Sequence, residues 1–230
     1  MKLTKIILIG FIIVMIALVI YTPSMLGSNW AIFTSLLAVS ILAILFLEFE
    51  IESVNSRMIP LLGILISLIV ISRQIFHGIY EFSPVFFLVI LVGYIFGFLN
   101  GFITGALVIL VSNFFLGQGP WTIFQMVALG LIGFLAAFVP KFKSKKINLI
   151  LLVLYGILSA YLYGAITDVF FWSFFTSQQT LNTYLAIKIA GLLADTSRAV
   201  GNTLFMLILG PSILKILLRF RKRFYMEYVK

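Results

Sequence analysis

The chain has no cysteine, a single histidine and only seven acidic residues among 230. Without thiols there is no disulfide framework, no thiolate metal site and no cysteine nucleophile. His77 has no spaced partners for a metal, and with Glu81 in "HGIYEF" it is expected to be an interfacial side chain flanking a short loop. HExxH, Walker and GxSxG patterns are missing too, and the Gly117, Gly119 pair lacks the strand and helix of a dinucleotide site. The sequence thus asks for no catalytic residue, metal or cofactor.

What is plentiful is hydrocarbon. Hydrophobic residues make up 63% of the chain and charged ones 10%, with a mean hydropathy of +1.21. So few polar residues cannot cover a water-facing surface, whereas lipid accepts apolar side chains wherever helices satisfy the backbone. The apolar runs are long and do not alternate, which predicts an all-α polytopic membrane protein rather than a barrel. Its net charge of +9 is gathered at helix ends. Topology and anionic lipid account for such clusters without a nucleic-acid partner.

Runs long enough to cross the bilayer predict eight spans, at 5–21, 30–47, 58–76, 84–99, 101–117, 121–140, 147–170 and 184–214. Pro60 falls in a first helical turn, and Asn100-Gly101 is expected to be the tight turn between the fourth and fifth spans. Lys2, Lys5, Arg57, the run "KFKSKK" (141–146) and the tail "RFRKRF" (219–224) then share one side. Loops 22–29, 77–83, 117–121 and 171–183 contain no lysine or arginine. That asymmetry predicts both termini in the cytoplasm. The first run is longer than a signal-peptide core and "YTPSMLGS" offers no small-x-small cleavage site, so it is expected to remain as a helix.

Ionisable groups inside spans each cost about 2.5–3.5 kcal/mol on insertion scales and therefore need a reason. They are Arg73, Asp168, Lys188, Asp195 and Arg198. Arg73 is near a helix end and could snorkel. Asp195 and Arg198, three apart on one helical face, are expected to form a structural ion pair; Lys188 shares that face. Gly93, Gly97, Gly101 and Gly105 recur every four residues, with Gly130 and Gly133 in the next span, and predict close helix packing. Gly63 and Ser67 form a second small-residue pair, suited to a partner protein.

The stretch "FFLGQGPWTIFQ" (114–125) breaks the hydrocarbon with two glycines, a proline, two amides and a tryptophan. Glycines, Pro120 and Trp121 fit an outer turn with an interfacial indole. The amides Asn113, Gln118 and Gln125 exceed what a turn requires, and together with aromatic rings they suit a pocket for a polar organic molecule.

At this stretch the chain resembles the substrate-binding S components of energy-coupling factor (ECF) transporters. The similarity covers about residues 57 to 224, through Arg73 closing the first helix of the match, "FSPV" (82–85), the glycine-spaced hairpin, "SNFFLGQGPWTIFQM" (112–126), "DTSRAVGN" (195–202), "GP" (210–211) and the basic tail. It is most similar to the branch that includes cobalamin-specific members. The resemblance implies a six-helix core at 57–230, a vitamin pocket under the three outer loops, and import across a prokaryotic cell membrane. It also implies docking through Gly63 and Ser67 onto a transmembrane T component driven by two cytoplasmic ATPases, with the whole S component reorienting in the bilayer. Its substrate-binding set would be Asn113, Gln118, Trp121, Gln125 and Trp172, with Arg73, Asp168 and Lys188 orienting polar groups. Thiamine or a pyrimidine precursor is the alternative ligand. Residues 1–56, two further spans with the acidic link "EFEIES", stand outside that pattern. An enzyme of lipid-linked substrates would instead use Asp168 or Asp195 as a catalytic carboxylate, and a membrane scaffold would leave the outer amides unexplained.

Overall fold

The computed structural model describes residues 6, 7, 10, 11, 13, 14, 17, 29–51 and 58–225, with side chains given except at 44–51 and 224–225. The first expected span, the loop 22–29, Lys2, Lys5, Arg57 and the last two residues of the acidic link lie largely or wholly outside these residues. Among the described residues there are eight helices and no strand. They are α1 (Trp30–Ile51), α2 (Met58–Ile75), α3 (Val85–Phe96), α4 (Phe98–Leu116), α5 (Trp121–Ala136), α6 (Lys145–Phe175), α7 (Leu181–Ile208) and α8 (Gly210–Tyr225). Helices α2, α4 and α6 are each long and apolar enough to cross a membrane, and α7 with α8 qualifies as one broken span bent by 68°. The chain is an all-α polytopic membrane protein.

The arrangement is centred on α3, the most hydrophobic helix. Eleven of its twelve residues are buried, and it touches α2, α4, α5, α6, α7 and α8. Two antiparallel pairs, α4 with α5 and α6 with α7, make the most extensive helix contacts. Helix α1 adds Thr34, Leu37 and Ile41 to the buried core, against α5 and α4. Tyr155 ties α6 to α5 by donating to the Ile132 carbonyl at 2.6 Å.

Glycine brings these helices together. A Cβ on Gly101 or Gly93 would overlap the Gly133 carbonyl, and one on Gly105 would meet the Leu129 backbone. Three helix backbones therefore cross at a point where no side chain fits. The chain reverses at Gly97, however, not at Asn100-Gly101 as the sequence suggests. Gly97 adopts φ 96° and ψ 171°, a conformation that favours glycine. Asn100 lies in the first turn of α4, its amide donating to the Phe96 carbonyl at 2.9 Å, and Gly101 is spent on packing.

Other boundaries also shift. The third loop is confined to 176–180, because the α6 helix continues to Phe175 and the next begins at Leu181 under a capping box of Thr180 and Thr183. The last expected span breaks at Leu209, before Gly210 and Pro211. Beyond the break α8 carries Lys215, Arg219, Arg221, Lys222 and Arg223 while burying Leu217. It meets α3 at the end of the molecule where Lys141 sits 4.9 Å from the centre of the Tyr94 ring. The opposite end carries the loops 76–84, 117–120 and 176–180.

Candidate functional site

At the loop end a partly open cavity of about 420 Å³ lies between α2, α3, α4, α5, α6 and the segment 76–84. Its polar lining comes from Arg73, His77, Glu81, Asn113, Gln125 and Tyr163, and its aromatic walls include Phe86 and Trp121. Of the residues proposed from sequence, the cavity gathers Arg73, Asn113, Trp121 and Gln125.

A relay of amides orders this lining. Asn113, 2% exposed, donates to Gln125 Oε1 at 2.9 Å and to Thr122 Oγ1 at 3.2 Å. Its own Oδ1 accepts from Arg73 Nη1 at 2.7 Å, and Ser112 Oγ accepts from the same nitrogen. Each bond is made inside a low-dielectric bundle, where an unpaired partner would be costly, so the side chains have fixed orientations. Arg73 does not snorkel. Among the described residues it has no carboxylate partner, and its hydrogen bonds go to neutral oxygens.

Gln118 has a different fate. Its Nε2 donates to the Leu110 carbonyl at 2.9 Å, and its Oε1 accepts from Thr122 Oγ1 at 3.0 Å. Thr122 Oγ1 in turn accepts from the Gly119 backbone at 3.1 Å. This amide closes the turn between α4 and α5 and does not line the cavity. Trp121, 39% exposed, packs edge-on against Phe170 at 6.2 Å.

Asp168, Trp172 and Lys188 also lie away from the cavity. Trp172 donates to the Thr180 carbonyl at 3.1 Å and to Thr183 at 3.0 Å. It lines a separate, more apolar space of about 380 Å³ with Val169, Gln179, Leu181 and Tyr184. Asp168 and Lys188 belong to a chain of charges along α6 and α7. Lys188 lies 3.4 Å from Asp168 and pairs with Asp195; Asp195 and Arg198 meet at 2.6 Å; Arg198 reaches Glu81 at 2.9 Å. Gly164 makes room for it, since a Cβ there would strike the Asp195 carboxylate. Thus Asp195, 1% exposed, answers two cations, an arrangement that compensates burial.

His77 and Glu81, exposed residues of the segment 76–84, also line the cavity. The signal available in sequence was their place two and six residues after the helix that ends at Ile75. What placed them was the fold of 76–84 over α7, where the Tyr80 carbonyl accepts from Ser197 Oγ at 2.5 Å. Tyr163 had no sequence signal, being one of many aromatic residues in α6. It stacks edge-on with Phe86 at 4.8 Å and carries the Arg198 guanidinium 5.1 Å from its ring centre. Among the described residues no three histidine, aspartate or glutamate side chains converge as a metal site would require.

The geometry is that of a binding cavity with apolar walls and a few fixed polar groups. Comparison with known proteins agrees in kind. No curated protein and no solved structure matches the chain. The family model described as "ECF transporter, substrate-specific component" matches residues 57–220, which spans α2 to α7, most of α8 and every residue of the cavity. The chain belongs to the family of substrate-specific components of ECF transporters.

Proposed function

We propose that this protein captures a vitamin or related micronutrient for an ECF importer and holds it in the cavity beside Arg73. The observation that carries the reading is the ordered set of Arg73, Asn113 and Gln125 around about 420 Å³ of space beneath the loops, within the family match. The loop end faces outside and the basic end faces the cytoplasm, as the lysine and arginine distribution indicates. Residues 57–230 are the transport core and 1–56 an addition to it.

A transmembrane T component and two cytoplasmic ATPases supply the motor. The face of α2 is suited to docking: a Cβ on Gly63 would meet nothing, Ser67 folds back onto the Gly63 carbonyl at 2.9 Å, and Ile64, Leu68 and Ile71 are exposed. A smooth strip of this kind permits close helix approach within lipid.

A corrinoid is the ligand suggested by the resemblance. The cavity sits in the lower part of the range for small-molecule pockets, and its size favours a compact ligand, comparable to thiamine or a pyrimidine precursor. The enzyme reading loses support because Asp195 is committed to two cations and Asp168 to Lys188. An equilibrium binding screen of purified protein against a vitamin panel tests the ligand. Binding of cobalamin and cobinamide alone would restore the corrinoid. Tagged protein from native membranes should recover a T component and ATPases, and failure to do so would remove the transporter reading.

A further inference from the structure

We propose that the ligand carries an anionic group, a carboxylate or phosphate, received by the guanidinium of Arg73 with the Tyr163 hydroxyl beside it. This rests on the cavity being the substrate site. A guanidinium has five N–H donors, and those of Nη1 are taken by Ser112 and Asn113. The Nε and Nη2 edge has no acceptor among the described residues. That edge is one of the two forks with which arginine grips a carboxylate or phosphate by paired hydrogen bonds.

The fork is also held in place before any ligand arrives. Asn113 fixes Nη1, while Gln125 and Thr122 fix Asn113, so little freedom is left to lose on binding. Tyr163, 5% exposed, lines the cavity, and its hydroxyl makes no hydrogen bond within the described protein, although its carbonyl accepts from Thr167. Its hydroxyl is a donor awaiting an acceptor, and Arg198 lies on its ring at 5.1 Å.

The competing anion is Glu81, which lines the same cavity. Its Oε2 accepts from Arg198 Nε at 2.9 Å, and Arg198 also pairs with Asp195. Glu81 makes no ion pair with Arg73. The charge chain that runs from α6 and α7 to the segment 76–84 contains three carboxylates, Glu81, Asp168 and Asp195, and two cations, Lys188 and Arg198. Its surplus is one negative charge. With Glu81 engaged by Arg198, the hydrogen-bonding neighbours of Arg73 are neutral hydroxyl and amide oxygens. A neutral ligand would leave this fork desolvated and unpaired, a cost of the kind that buried polar groups impose.

The test uses the full-length protein in detergent and pairs of compounds that differ in the anionic group. Nicotinate is set against nicotinamide and pantothenate against pantothenol for carboxylate, and pyridoxal phosphate against pyridoxal for phosphate. Isothermal titration should find at least one anionic member bound about tenfold to a hundredfold tighter than its neutral partner. The pair showing this difference identifies carboxylate or phosphate as the group received. Arg73→Gln should bring the anionic member down to its neutral partner, Arg73→Lys should keep part of the difference, and Tyr163→Phe should reduce it by a smaller factor. Thermal unfolding of each variant separates loss of affinity from loss of fold. Neutral members binding as well as anionic ones, an undiminished preference in Arg73→Gln, or no anionic member binding at all would overturn the proposal. Recovery of the T component and ATPases from native membranes is independent of these titrations. If those partners are recovered while anion preference fails, only the ligand class is wrong; if the preference holds without partners, only the transporter reading is.

Discussion

The two sides of the bundle treat buried polarity in opposite ways. On α6 and α7 the charges answer one another, from Asp168 through Lys188, Asp195 and Arg198 to Glu81. On α2, α4 and α5 a single guanidinium is surrounded by neutral hydroxyl and amide groups and keeps donors in reserve. Both regions contain the ionisable residues that look anomalous in a membrane span. Where every charge has an opposite charge beside it, the anomaly points to architecture; where a guanidinium has none among the described residues, it points to a ligand.

That contrast fails first if the charge chain is dispensable. Asp195→Ala leaves Lys188 and Arg198 without their shared counter-ion, and about 3–5 kcal/mol of stability should be lost, measured by unfolding in detergent. An unchanged unfolding midpoint would mean that water already penetrates between α6 and α7. Gly133→Ala strikes the other side, where the added methyl meets the Gly101 backbone. Overpacking of this sort should cost about 1–3 kcal/mol, and an equally stable variant would show that the crossing yields.

A finer cut lies within "FFLGQGPWTIFQ" itself. Gln118→Leu removes the amide that serves the Leu110 carbonyl and Thr122, so stability should fall by about 1 kcal/mol with ligand affinity nearly intact. Gln125→Leu should do the reverse, lowering affinity for the ligand found in the vitamin screen more than it lowers the unfolding midpoint. Equal effects of the two substitutions would erase the distinction between a turn amide and a pocket amide. The smallest change is expected from Glu81→Gln. Its side chain is 45% exposed, and the pair with Arg198 is therefore weakened by solvent, so less than about 1 kcal/mol should be lost.

Composition made the all-α membrane fold legible, because hydropathy at span length leaves few alternatives. The polar residues were legible one at a time but not in their groupings. Asn113 and Gln125 are twelve apart, whereas Arg73 joins them only once α2 packs on α4. Asp195, Arg198 and Lys188 were readable as a set because helical spacing alone brings them to one face. Gln118 looked equivalent to Gln125, and only the Leu110 carbonyl distinguishes them. The hairpin reversal was misplaced because a glycine every fourth residue offers several equally good turns, and the choice of Gly97 was made by the packing of Gly93 and Gly101 against Gly133.

The central position of α3 has a consequence for the bilayer. Twelve residues rise about 18 Å along a helix axis, well short of the roughly 30 Å of a hydrocarbon core. Since protein surrounds α3 on nearly every side, lipid thickness places no demand on its length. Adaptation to thinner or thicker membranes is left to the outer helices, which are free to tilt or bend around a pillar that lipid never measures.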